Sequence, residues 1–217
     1  MQPVFITGGT GYLGQRLIQQ LLREGYAVKA LVRKQSVHKL PAGCTPVVAD
    51  PFNAASFAGS IEPNSIFIQL LGVPHPGPKK KALFYSVDLA SAQASVAAAK
   101  AAGAIHFIYV SVAQYPSKIM ESYQQVRAQA EQLILSSGVK ASFIRPWYII
   151  GPGHYWPMLF QPLFWLMERI PASAAKAKAL ALVPLRKMLL ALRLAVQQLP
   201  ENQCRVIEIA DIRKLTC

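Results

Sequence analysis

Three glycines spaced three apart, Gly8, Gly11 and Gly14, follow the apolar run Val4-Phe5-Ile6-Thr7 and precede Leu17, Ile18, Leu21 and Leu22 at helical spacing. The chemistry this pattern favours is the holding of an anion. Glycine permits a tight turn, lets the backbone approach a phosphate with no side chain between them, and lets a helix pack close on a strand. The N–H groups at the helix start then face the anion, with the helix dipole behind them. The order strand, glycine turn, helix predicts a pyrophosphate site made by Gly8, Thr10, Gly11, Tyr12, Leu13 and Gly14.

A second chemical signal follows the next apolar run, where Leu31-Val32 is followed by Arg33-Lys34 rather than by an acid that would accept from ribose hydroxyls. Two cations there either neutralise a 2′-phosphate, with Arg33 binding it as a fork, or only solvate a strand end. The first reading predicts NADP in preference to NAD. Asp50, before Pro51 and after Val47-Val48-Ala49, is placed either to accept from an adenine amino group or to shape a turn.

The elements that must position these groups are legible in the hydrophobic pattern. Apolar runs bounded by turn residues recur at 3–7, 27–32, 46–49, 65–71, 105–110 and 141–144, and helical patterns are expected at 12–24, 82–102, 122–137, 156–168 and 185–198. Continuous apolar strands alternating with helices predict an α/β fold, a doubly wound parallel sheet covered on both faces. In that architecture the ligand crevice lies at the carboxyl ends of the strands, which adds Leu70 and Leu71 to the candidates. The stretch 72–81, with three prolines, two glycines and a lysine run, reads as a loop.

Composition narrows the class. The chain of 217 residues, 53% hydrophobic, suits one domain with a full core. Cys44, Cys204 and Cys217 share no disulfide or metal-ligand spacing, and because the first strand begins so early no signal peptide is expected. A cytoplasmic protein is expected. Lys and Arg number 23 against 10 acids, a formal charge of +13, and the surplus leans toward the C-terminal part. No recognition helix, RNA-binding signature or basic tail accompanies it, so nucleic acid is not expected as a partner. The histidines and lone carboxylates form no metal pattern, and no Ser-His-Asp elbow is present.

Beyond the glycine turn, the chain carries Ala49-Asp50, Leu70-Leu71-Gly72, Tyr109-Val110-Ser111, Tyr123 to Arg127 with Ala130-Glu131, and Arg145 to Gly153. Through these residues it resembles the extended and atypical short-chain dehydrogenase/reductase superfamily, with its Rossmann fold, over nearly its whole length. It is most similar to the branch that includes the nucleotide-binding accessory subunit of respiratory complex I and nitrogen-regulator-like sensors, which holds enzymes and non-enzymes. The resemblance implies catalytic roles for Tyr123 and Arg127, which keep the spacing of a Tyr and a Lys four residues apart on one helix face. There the Lys lowers the Tyr pKa and grips the ribose, so the Tyr serves as general acid or base. Here Arg replaces Lys; it supplies charge but does not relay a proton as an ammonium does. Ser111 matches a residue that contacts cofactor, while Val112 occupies the position of the catalytic hydroxyl. Pro146 and Ile149 are implied to close the nicotinamide side.

Residues 147–200 are expected to form a small substrate-capping region within the single domain 1–217. Aromatic residues from Trp147 to Trp165, followed by Arg169, Lys176, Lys178, Arg186 and Lys187, suit an apolar substrate wall, a core face, or a peripheral membrane or protein contact through residues 155–193. These readings predict an NADP(H)-binding oxidoreductase that transfers hydride between nicotinamide and a small, largely apolar carbonyl or quinone-like substrate. The alternative is a non-catalytic NAD(P)-binding sensor, regulatory or assembly protein.

Overall fold

Strand β1 (Val4–Thr7) is buried at every residue, as its unbroken apolar run requires of a strand covered on both faces. It is an inner strand of a seven-stranded sheet with β2 (Val28–Val32), β3 (Thr45–Val48), β4 (Ile66–Gln69), β5 (His106–Val110), β6 (Lys140–Arg145) and β9 (Cys204–Glu208), in the order β3-β2-β1-β4-β5-β6-β9. All six pairings are parallel, and Val4 registers with Val28 on one side and Ile66 on the other. The computed structural model describes residues 1–115, 120–153 and 181–216. The helix expected at 156–168, most of the aromatic segment and Arg169, Lys176 and Lys178 lie outside the described residues.

The strand order reverses direction at β1, so the carboxyl ends of β1 and β4 diverge and open a crevice. Alternation along each strand sorts the core into two faces. One is aliphatic: Ile6, Ile68, Ile108 and Ile144 pack under α1 (Tyr12–Arg23) and α5 (Leu185–Gln197). The other is aromatic: Phe5, Phe67, Phe107 and Phe143 form a row, with ring centroids 5.4 Å apart between Phe5 and Phe67 and 5.0 Å between Phe67 and Phe107. The helices α3 (Ala90–Ala101) and α4 (Glu121–Ser136) cover that row with small residues, Ala92, Ala98, Ala99 and Ala130. Large rings against alanines keep the layer close-packed.

The helix expected at 82–102 is present but irregular. A short turn, α2 (Lys81–Leu83), passes through a π-helical turn at Phe84–Leu89 before α3 begins. A π turn accommodates an extra residue per turn, and here it carries Asp88, which is 1% exposed, among the core elements. The short strands β7 (Tyr148–Ile150) and β8 (Leu182–Pro184), the edge strand β9 and the final helix α6 (Ile209–Lys214) were not expected. The edge strand Cys-Arg-Val-Ile-Glu is only half-buried and carries two charges, so it lacks the apolar run by which the inner strands declare themselves. No helix of the described residues is long and apolar enough to cross a membrane.

One buried group ties stability to pH. His106 is fully buried on β5 with Nε2 2.9 Å from Ser142 Oγ. Burial, aided by the charges of Arg205 and Lys140, pushes its imidazole down from 6.5 to about 4. Between those values the unfolded chain binds more protons than the native one, so stability is full above about pH 6.5 and declines toward about pH 4. Denaturant titrations should show a loss on the order of 3 kcal/mol across that window, and His106→Asn should flatten it. An unchanged slope in that variant would show that His106 is not its source.

Candidate functional site

The site starts at the glycine turn. Gly8 has φ 72°, and a Cβ there would lie 2.6 Å from the backbone of Leu70 and Leu71 at the end of β4. A Cβ on Gly14 would collide with the Gly8 carbonyl oxygen and stand 2.7 Å from Gly9 Cα. Both positions therefore demand glycine, one for its left-handed backbone and one for the contact of α1 with the turn. The Gly11 N–H donates to the Gly8 carbonyl at 3.0 Å, and no side chain caps the start of α1. The first N–H groups of that helix are left for an anion.

Two adjoining cavities open from this turn, and Gly8, Gly11, Leu70, Gly72 and Pro74 line both. The first, about 570 Å³, brings Thr10 and Leu71 together with Val32, Arg33, Ser36 and Pro51. Arg33 is exposed on its rim. Lys34 is exposed as the first residue of a 3-10 turn, Lys34–Lys39, and does not line the cavity. Asp50 is also off the wall; its Oδ1 accepts the Phe52 N–H at 3.0 Å, the turn-shaping geometry of an aspartate before proline. The second cavity, about 380 Å³, joins Tyr12, Leu13 and Gly14 to Ser111, Tyr123, Arg127, Pro146 and Ile149. A dinucleotide fits this layout: a glycine cradle at the junction, a cation at one end, and at the other the buried Ser111 Oγ, which has no hydrogen-bond partner among the described residues.

Arg127 is held from several sides. Its Nη2 lies 2.5 Å from Asp88 Oδ1, and its Nη1 donates to Tyr109 Oη at 3.1 Å and to the Val110 carbonyl at 3.0 Å. The guanidinium carbon stands 5.0 Å from the Tyr123 ring centroid and 5.4 Å from that of Tyr109. Asp88 Oδ1 and Oδ2 also accept the Val73 N–H at 3.3 and 3.4 Å. Burial alone would lower the Arg127 pKa, but Tyr109, Tyr123 and Asp88 outweigh it and hold the group charged. Burial pushes the Asp88 carboxyl above the usual carboxylate range while the Arg127 charge and the Val73 N–H pull it back. The Tyr109 phenol, raised by burial to about 12, stays neutral and accepts from Arg127.

Asp88 was missed by sequence reasoning. The signal available was a lone acid in a helical stretch otherwise made of alanine, serine and apolar residues. Gly72 belongs to the same arrangement, because a Cβ on it would lie 2.6 Å from Arg127 Nη2 and 2.7 Å from Asp88 Oδ1. Tyr123 is half-buried, with its ring tilted 55° against Phe84 at 5.0 Å. Val112 is buried in the cavity wall, so an apolar group stands where the resemblance places a catalytic hydroxyl. Arg145 anchors the segment bearing Pro146 and Ile149: it meets Glu131 at 3.0 and 2.5 Å and Glu208 at 2.8 Å, joining β6 to α4 and β9.

Residues 8–153 match the NAD(P)H-binding family model. The chain belongs to that family, as an atypical short-chain dehydrogenase/reductase. It is 30% identical to the ceramide reductase of Caulobacter vibrioides over 154 residues, 69% of this chain and 47% of that protein. It is 25% identical over 168 residues to a Stigmatella aurantiaca ketoreductase of 4-hydroxy-2-methyl-3-oxo-4-farnesyl-3,4-dihydroquinoline-1-oxide, 68% of this chain and 50% of that protein. The chain thus spans about half the length of these curated relatives. The structure of the Bordetella bronchiseptica enzyme WbmH in complex with NAD+ superposes with a TM-score of 0.70 at 18% identity, covering 96% of this chain and 75% of that one, which shows the shared fold.

Within this family member the Asp88–Arg127 pair gives a direct stability test. Asp88→Ala leaves a buried guanidinium without its carboxylate and should lower unfolding free energy by about 3–5 kcal/mol in urea titrations. Adding Arg127→Met should restore much of that loss, because an apolar side chain then fills the space. Equal destabilisation of the single and double variants would contradict the pairing.

Proposed function

We propose that the protein is an NADP(H)-dependent reductase of a small, largely apolar ketone or quinone-like substrate in the cytoplasm. The observation that carries this reading is the second cavity, where Ser111, Tyr123 and Arg127 share a wall with Leu13, Trp147 and Ile149 beside the glycine cradle. Bound NADPH supplies hydride to the substrate carbon. Arg33 neutralises a 2′-phosphate at the far end, while the turn from Gly8 to Gly14 holds the pyrophosphate. Ser111 Oγ takes the ribose as its missing partner, and Tyr123 gives its phenolic proton to the substrate oxygen. The Arg127 guanidinium carbon stands 5.0 Å from the Tyr123 ring centroid, and its two Nη groups are committed to Asp88, Tyr109 and Val110. Two relatives named for reducing a ceramide and a farnesyl-bearing ketone support an apolar substrate.

A second reading, a nucleotide-binding sensor or assembly protein without turnover, is favoured by that same commitment of Arg127 and by Val112 in place of a hydroxyl. Calorimetry separates the cofactor question first. Arg33→Ala should weaken NADPH binding roughly 10- to 100-fold, the loss of a charge-assisted contact, and leave NADH binding unchanged. Equal affinity of the wild type for both nucleotides would defeat the 2′-phosphate assignment. Tyr123→Phe should abolish NADPH-dependent reduction across a carbonyl and quinone panel while nucleotide binding persists. Tight NADPH binding with no turnover of any panel member by the wild type would favour the sensor.

A further inference from the structure

The first cavity has little with which to read the edge of a base. Among the described residues that line it there is no carboxylate and no side-chain amide. Asp50, the candidate for an adenine amino group, stands off the wall and gives Oδ1 to the Phe52 N–H at 3.0 Å. The turn that Asp50 shapes presents a ring instead. Phe52 is 48% exposed and is the one aromatic residue among the described residues that line the cavity. An exposed phenylalanine by itself needs no explanation, but this one is held in place. The Asp50 carbonyl accepts the Asn53 N–H at 3.2 Å and the Ser56 hydroxyl at 3.0 Å, and Asn53 Oδ1 accepts the Ala55 N–H at 3.2 Å. Phe57, 1% exposed and stacked on Phe5 at 6.1 Å, ties the end of the turn to the core. A ring on so ordered a turn loses little further freedom when a ligand meets it.

Val32, Ala49, Pro51, Leu71 and Val87 share the cavity with Phe52 and with Arg33 on the rim. Such a wall suits a flat heterocycle, whose π face stacks on an aromatic ring or a guanidinium plane whatever its edge carries. With the 2′-phosphate at Arg33, the adenosine end of the nucleotide lies in this cavity. We propose that Phe52 is the base-stacking residue of the site, laying its ring against the adenine, and that the chain recognises this base by its face rather than by its amino edge. The inference rests on the nucleotide reading of the first cavity. It replaces Asp50 with a residue two positions on, and it makes the site tolerant of the base that the nucleotide carries.

Calorimetry on the whole chain tests both halves without any turnover. Phe52→Ala should weaken NADP+ and 2′-phospho-ADP-ribose alike, roughly 5- to 100-fold, the worth of one base–aromatic stack, while Phe52→Trp keeps the affinity. The tryptophan of that second variant should be quenched by 2′-phospho-ADP-ribose beyond any change in the wild type, a signal that a merely structural role would not give. Nicotinamide hypoxanthine dinucleotide phosphate, which lacks the amino group, should bind the wild type within about threefold of NADP+. Equal NADP+ affinity in the wild type and Phe52→Ala, or no added quenching in Phe52→Trp, would overturn the stacking assignment. An adenine preference of about tenfold or more over hypoxanthine would overturn recognition by the face alone. If NAD+ binds the wild type as tightly as NADP+, the Arg33 assignment fails by itself, and the Phe52→Ala loss should then appear with NAD+ as well. A wild type that binds none of these nucleotides would overturn this inference together with the reading beneath it.

Discussion

A carboxylate and a guanidinium meet under a glycine at the centre of this molecule, and much of the site depends on that meeting. Asp88 and Arg127 come from different helical segments, stand 2.5 Å apart with side chains 0% and 7% exposed, and leave room above them for nothing larger than Gly72. Isolated charges at that depth would be prohibitively costly, so each is confined to the position where the other satisfies it. The pair reaches outward through the Val73 N–H to the loop after β4, through the Val110 carbonyl to the end of β5, and through the Tyr123 ring to the cavity. Three walls of the second cavity are therefore set by one ionic contact.

The pair is joined to a polar seam along the carboxyl ends of the central strands. Thr7 Oγ1 donates to Gln69 Oε1, as does Ser95 Oγ at 2.8 Å; Gln69 Nε2 donates to Ser91 Oγ at 3.1 Å, and Ser91 Oγ donates to the Asp88 carbonyl at 3.2 Å. Farther from the crevice the same sheet face is the stacked row of phenylalanines. The change from rings to hydrogen bonds occurs within two residues, from Phe5 to Thr7 and from Phe67 to Gln69. A packed apolar layer thus gives rigidity to a polar layer that lies next to the crevice at the strand ends.

The fold was legible because a parallel strand covered on both faces has little choice of composition. β1, β2, β4, β5 and β6 each appear as apolar runs, and Gly8 and Gly14 appear because no other residue allows their contacts. The edge strand β9 and the short β7 and β8 lack that constraint and carry no comparable signature. Within the site, the glycine turn and Arg33 were readable, and the Tyr123–Arg127 spacing came from the family resemblance. Asp88 was not, because its meaning comes from a partner 39 residues away and from a π turn that periodicity does not reveal.

The amino-acid sequence by itself determined the layered sheet, the glycine cradle and the cationic end of the crevice. Each follows from local requirements of backbone geometry, strand burial or charge type. Only the tertiary structure decided what Arg127 touches, why Gly72 is glycine, that Asp50 shapes a turn, and that His75 stands at the cavity. Those facts depend on which side chains long-range packing brings within a hydrogen bond of one another, and no spacing along the chain encodes that distance.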